Sequence, residues 1–219
     1  MPLYAHGTPG SAAELSPSPF TAPILAPHTR LTAPTHIIAF SLGAHLAITA
    51  AAAQPDHVSR LTLISPAAPL DLGDFLPHMA GRAVFRAART PPLLRALAAV
   101  QLHLLRRSPD RFLALLFRDA PTSEHSLLSS PPHRDAILQA LHDSLPSTVY
   151  RNALQAYVEP WSHLLDRVRC PVILHHGSAD TWTPPAMSSA LAAHLSDATR
   201  VTHPDLGHYA TLYRVLDEM

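Results

Sequence analysis

The residue best placed to do chemistry is the serine in the run Ile37-Ile38-Ala39-Phe40-Ser41-Leu42-Gly43-Ala44-His45-Leu46-Ala47. An apolar stretch of strand character ends at Phe40 and a helical stretch begins near Leu42, so Ser41 falls on a very tight turn between them. Such a turn presents the hydroxyl at the carboxyl end of a sheet, where open α/β sheets bind ligands. It also forces strand and helix together, and the residues two places to either side, Ala39 and Gly43, are small. The helix start carries unpaired N–H groups and the positive end of the helix dipole. The Leu42 N–H is therefore placed to stabilise a negative oxygen formed by attack from Ser41. A serine hydroxyl is a weak nucleophile at neutral pH and needs a base, which itself needs a group to orient it. The competing reading is a serine that only caps an ordinary helix.

The elements around this turn follow from apolar patterning. Runs of strand character lie at Pro2 to Ala5, Thr35 to Phe40, Ser59 to Ile64, Val172 to His175 and Arg200 to Thr202. Helical segments lie at Leu42 to Ala53 and Pro184 to Leu195, with a larger block inside Leu70 to Arg169. In that block Leu93, Leu94, Leu97, Val100 and Leu104 recur at helical spacing, as do Phe112, Leu115 and Leu116, with Arg106, Arg107, Arg111 and Arg118 around them. Strands alternating with helices predict an α/β fold: a mostly parallel sheet with helices on both faces. The expected organisation is a core formed by residues 1–69 and 170–219, interrupted by a helical insertion over 70–169. That insertion is either a plain helical layer or a cap over a cleft. The stretch Ser16 to Pro34 holds too many prolines for a central strand; Pro23 to Pro27 is at most a short edge strand.

The serine turn resembles the G-x-S-x-G nucleophile elbow of the α/β-hydrolase superfamily, with Ala39 in place of the first glycine. The chain order of that superfamily is serine, acid, histidine. Here the run PVILHH is followed by GSADTWTPP, which puts Asp180 where the acid of the superfamily sits. A short run RVTH then precedes PDLGHYATL, in which His208 occupies the place of the terminal histidine. Upstream, LYAHGTPGS resembles the H-G-x-P-G loop that aims a second backbone N–H at the oxyanion; by position that donor is Thr8. The resemblance implies a serine hydrolase acting on a carboxylic ester, thioester or related acyl compound. Ser41 attacks, His208 acts as base and then activates water, Asp180 orients His208, and the Leu42 and Thr8 N–H groups bind the oxyanion. It implies no cofactor and no metal. Asp71 and Asp74, after RLTLIS, are alternative acids, and Asp205 is a weaker one. Two other readings stay open: a non-catalytic binding protein that keeps the triad, and an acyltransferase in which an alcohol or thiol replaces water.

The departures from the family pattern lie on one side. Members carry two or three strands before the H-G loop, and further helices and a strand between it and the serine strand. Here only the proline-rich stretch fills the second interval, leaving the LYAH strand near an open sheet edge that invites a homodimer.

Composition bounds the rest. The 219 residues are 47% apolar, with 23 prolines, 7 glycines and 16 histidines, and the formal net charge is zero. That argues against nucleic acid or an anionic membrane surface as the main partner; a small-molecule acyl substrate is what the resemblance implies. One cysteine, Cys170, excludes an internal disulfide, and its place before a proline at the head of a strand is structural. No run is long enough for a membrane span, and the N-terminus has no signal-peptide pattern, so a cytoplasmic location is expected. His175, His176, His203, His208, Asp180 and Asp205 include good zinc ligands, but no metal-binding spacing accompanies them. Trp182 and Tyr209 flank the acid and the base, either lining the cleft or packing the loops. His45 reads as an ordinary residue of the elbow helix.

Overall fold

The computed structural model describes residues 1–219. Its sheet has five parallel strands: β1 (Leu3–Ala5), β2 (Thr35–Phe40), β3 (Val58–Ile64), β4 (Val172–Gly177) and β5 (Ala198–His203). Their order across the sheet equals their order in the chain. Parallel neighbours cannot be joined by hairpins, so each connection crosses over. The first crossover contains only the 3₁₀ turn Ala12–Leu15 and the bridge residue Ile24, with no α-helix. The second is α1 (Gly43–Ala53). The third holds six helices, α2 (Arg82–Ala88), α3 (Pro91–Arg107), α4 (Pro109–Leu116), α5 (Thr122–Leu128), α6 (Pro131–Ser144) and α7 (Thr148–Val158). The fourth is α8 (Ala186–His194), and α9 (His208–Leu216) closes the described chain.

The central strands are apolar on both faces because both faces are covered. Ile37, Ile38, Leu61, Leu63, Ile64 and Leu174 are all fully buried. Helix α1 packs Ala44, Ala47, Ile48 and Ala51 against β2 and β3, a helical stripe of small side chains that brings the helix close. Helices α1 and α8 are bridged by the turn Ser162–Arg167, while α9 packs on β3 and β4 beside α5. The outer edge of β1 is not bare. The Tyr4 N–H donates to the Pro23 carbonyl at 2.9 Å, and the Leu25 N–H donates to the Tyr4 carbonyl at 2.7 Å. Pro23 and Pro27 bring no N–H of their own, which blunts that edge.

Helices α3, α4 and α6 each begin with proline, whose missing N–H costs nothing in a first turn. Of the leucine run noted on α3, Leu94 is the one that is fully buried. Leu94, Ala98 and Leu105 face inward, whereas Leu93, Val100 and Leu104 are exposed. Side-chain size is the reason: Ala98 lets α3 approach its neighbours α2 and α7, and the leucine-rich line one residue round the helix would hold them apart. No helix is long and apolar enough to cross a membrane.

Candidate active site

Ser41 sits between β2 and α1 with φ at +56°, in the left-handed region that non-glycine residues rarely adopt. The backbone is held there from β3. The Ser41 N–H donates to the Ile64 carbonyl at 3.0 Å, and the Ala67 N–H donates to the Ser41 carbonyl at 3.1 Å. Gly43 shows why the start of α1 has to be small: a Cβ there would lie 2.3 Å from the Ala5 carbonyl oxygen and 2.6 Å from that of His6. The elbow helix thus abuts the end of β1, where the loop carrying Thr8 begins.

Asp180 follows β4, and His208 opens α9. His208 Nδ1 lies 2.7 Å from Asp180 Oδ2. The other carboxylate oxygen, Oδ1, accepts the backbone N–H groups of Trp182 at 2.9 Å and Thr183 at 3.0 Å. Burial by itself pushes the Asp180 carboxyl up. The charge and hydrogen bond of His208, the charge of His176 and the Thr183 N–H outweigh burial and hold it below its ordinary value. The aspartate is therefore an anion at neutral pH, and the His208 proton rests on Nδ1. Nε2 is left free of any hydrogen bond. The imidazole is boxed by aromatic rings, with Phe40 at a centroid distance of 4.6 Å and Trp182 stacked at 5.7 Å.

Ser41, Leu42 and Thr8 line one cavity of about 150 Å³, together with Trp182, Thr183 and a largely apolar wall from the helices between β3 and β4. Ser41 Oγ forms no hydrogen bond with the imidazole or with any other group of the chain. The Leu42 and Thr8 N–H groups likewise have no acceptor within the protein. A second, more polar cavity of about 620 Å³ shares Thr8, Leu42 and Tyr150 with the first.

The alternative acids lie elsewhere. Asp71 accepts from the Ser162 hydroxyl and the Trp161 N–H, Asp74 is exposed, and Asp205 occupies an exposed turn with φ at +60°. None of the three hydrogen-bonds to His208. Trp182 lines the cavity, whereas Tyr209 is buried in packing against Phe40 and Phe117. His45 is half-buried against Trp161. His176 donates through Nε2 to the Thr183 carbonyl at 2.6 Å, and burial lowers its pKa against the charge of Asp180, whose Oδ2 lies 3.5 Å from the same nitrogen. His175 and His203 pair with each other at 3.1 Å. No three His, Cys, Asp or Glu residues cluster as metal ligands do.

Sequence reasoning missed two residues here. The Thr183 hydroxyl lies 2.9 Å from the Ser65 carbonyl, 3.0 Å from Asp180 Oδ2 and 3.2 Å from His208 Nδ1. Ser65, at the end of β3 with φ at +44°, sends its hydroxyl to the His208 carbonyl at 3.4 Å. Only the position of Thr183, three residues after the acid, was available as a signal.

The family model for the α/β hydrolase fold matches residues 28–215. The chain belongs to the α/β hydrolase fold family. This α/β hydrolase is 28% identical over 193 residues to the pimeloyl-(acyl-carrier protein) methyl ester esterase of Chromobacterium violaceum, covering 85% of the present chain and 67% of the relative. It is 27% identical over 235 residues to the enzyme of the same name from Neisseria meningitidis serogroup B, covering 98% and 84%. Among solved structures, an α/β hydrolase fold protein from Nakamurella multipartita superposes with a TM-score of 0.62 at 15% identity, over 99% of this chain and 91% of that one. A thermophilic esterase from Thermogutta terrifontis gives 0.56 at 18% identity, over 99% and 86%. At those identities the structures speak for the fold alone. Family and sequence relatives together make this α/β hydrolase a hydrolytic enzyme of esterase type.

Proposed function

We propose that the enzyme cleaves carboxylic esters through a serine acyl-enzyme formed on Ser41. In this reading His208 Nε2 takes the hydroxyl proton and later activates water. Asp180 fixes the Nδ1 tautomer and stabilises the imidazolium, and the Leu42 and Thr8 N–H groups hold the oxyanion. The observation that carries the reading is the pair of unengaged N–H groups bordering the same small cavity as Ser41, beside a histidine already paired to a buried carboxylate. The Oγ to Nε2 hydrogen bond is expected to form as substrate enters. The helices between β3 and β4 act as a cap that walls the acyl side of the cavity.

The finer reading takes its substrate from the sequence relatives: a methyl ester of an acyl chain borne by a carrier protein. Support comes from the surface of α2–α4. Residues 82–118 contain eight arginines, all exposed, and one acid, Asp110. Such a face attracts an acidic partner.

The test joins a probe to a substrate panel. A fluorophosphonate is expected to label the wild type at Ser41 and to leave Ser41→Ala and His208→Ala unlabelled, with ester hydrolysis reduced on the order of 10⁴-fold in both. Well-folded wild type that does not label refutes the acyl-enzyme. Methyl esters of free acids are then compared with the same acyl groups on an acidic carrier. Preference for the carrier form that fades with added salt supports the finer reading, and equal turnover at all salt concentrations removes it.

A further inference from the structure

The helix that begins with His208 has no side chain of its own to close its first turn. The residue before it is Gly207, where helices usually place an oxygen-bearing side chain to take up unpaired N–H groups. The closure comes from α5 instead. Ser123 Oγ accepts the Gly207 N–H at 3.0 Å, and Glu124 Oε1 accepts the Ala210 N–H at 2.8 Å. The glycine makes the approach possible, since a Cβ at residue 207 would lie 2.6 Å from both Glu124 Cγ and Oε1. Glu124 has no exposed surface, and its Oε2 has no partner. A buried, half-satisfied carboxyl is a poor way to fill space. What this one contributes is its hold on the end of α9.

We propose that Glu124 is a positioning residue for His208: from the helices between β3 and β4 it caps α9 and fixes where the imidazole stands. The proposal rests on the reading of His208 as the catalytic base. The groups facing Glu124 are few. On α9 they are His208, Tyr209 and Tyr213, and from the loop after β4 comes Asp180. Burial pushes the Glu124 carboxyl up to about 7. The Ala210 N–H, the charge of His208 and the Tyr209 N–H pull it down, against the charge of Asp180. As an anion it stabilises the imidazolium of His208 as well as the helix end. The same helical segment walls the substrate cavity, so Glu124 links the walls of that cavity to the base.

The test compares Glu124→Gln and Glu124→Ala with the wild type, with Ser41→Ala and His208→Ala as references. Ester hydrolysis is followed across pH, and hydrogen exchange reports on the Ala210 amide. The glutamine keeps an acceptor for Ala210 but removes the charge. Its kcat is expected within about fivefold of wild type, with exchange of the Ala210 amide unchanged. The alanine loses the cap. It is expected to lose about tenfold or more in kcat with KM changed less than about twofold, and to exchange the Ala210 amide faster. Should Ser41→Ala or His208→Ala retain hydrolysis, the reading of the base fails. Should both be inactive while Glu124→Ala keeps the wild-type kcat and the wild-type exchange at Ala210, the role given to Glu124 is overturned and the base stands. If the alanine variant does not fold, Glu124→Asp, whose shorter side chain does not reach the Ala210 N–H, decides in its place: wild-type kcat together with wild-type exchange at Ala210 refutes the proposal.

Discussion

At the scale of single residues, the site turns on a hydroxyl that no motif announces. Ser41, Asp180 and His208 were legible because each follows an apolar strand run and stands in a recognisable local context. Thr183 has no such context. Its role exists only because the end of β3 and the loop after β4 lie side by side, which puts the Ser65 carbonyl and Asp180 Oδ2 within reach of one side chain. The hydroxyl has one proton and two buried acceptors waiting for it. Thr183→Val keeps the shape and removes the donor, leaving one of the two acceptors a partner short. Unsatisfied buried groups cost about 1–3 kcal/mol. The variant is expected to lose about that much stability in denaturant unfolding, and several-fold in kcat as Asp180 and His208 lose a lateral contact. Wild-type midpoint and kcat together would show that the contact contributes nothing.

At the scale of elements, β1, β2 and β3 were read to within a residue, β4 and β5 run further than expected, to Gly177 and over Ala198–His203, and helix faces were left open. β2 matches its expected limits because the apolar run Ile37 to Phe40, preceded by Thr35 and His36, is bounded by Pro34 and the serine turn. Parallel strands buried on both faces leave little choice. A helix in the stretch between β3 and β4 has several apolar lines, and which is buried depends on neighbours the sequence does not order in space. On α3 the choice falls on Leu94, Ala98 and Leu105, and Leu93 is left 55% exposed while Leu94 is 1% exposed. Adjacent leucines should therefore behave differently. Leu94→Ala is expected to cost about 2–4 kcal/mol through lost burial and an unfilled space, and Leu93→Ala less than about 0.5 kcal/mol. Urea titrations of the two variants check this directly, and equal losses would mean that α3 is rotated from the orientation described.

At the scale of the whole molecule, ionisation sets a window of stability, and its alkaline side belongs to carboxyls that sequence reading passed over. Glu14, in the turn after the Thr8 loop, is fully buried. Its Oε2 accepts the Tyr4 hydroxyl at 2.8 Å and the Gly7 N–H at 3.1 Å, and its Oε1 has no partner. Gly7 and Gly10 pack on it so closely that a Cβ at residue 10 would lie 2.1 Å from Oε1. Burial pushes this carboxyl up to about 8, against the pull of the Tyr4 and Gly7 hydrogen bonds. Glu124 is raised in the same way to about 7. A group whose pKa rises on folding favours the folded state below its unfolded value, and that advantage is lost as pH climbs through the folded value. Asp180 has the opposite sign: its lowered pKa stabilises the fold above the ordinary carboxylate range and ceases to do so as acid protonates it. Burial also lowers the pKa of five histidines, His36 and His45 to about 4 and His175, His176 and His203 in the same direction, and these take up protons on unfolding below about pH 6.5, so stability should be greatest nearer neutrality, at about pH 6.5. From about pH 6.5 to pH 8 the folded chain holds carboxyl protons that the unfolded chain has already released, so stability falls, by at most about 1.4 kcal/mol per pH unit for each such group, and the fall levels off above the folded values. Glu14→Gln removes one of the two protons concerned while leaving an acceptor for Gly7. Its unfolding midpoint is expected to fall less steeply than that of the wild type between pH 7 and pH 9, with the two curves drawing apart toward high pH. Parallel curves over that interval would mean that Glu14 is ionised in the folded protein, and that the loop bearing Thr8 is held by a charge rather than by a neutral acid.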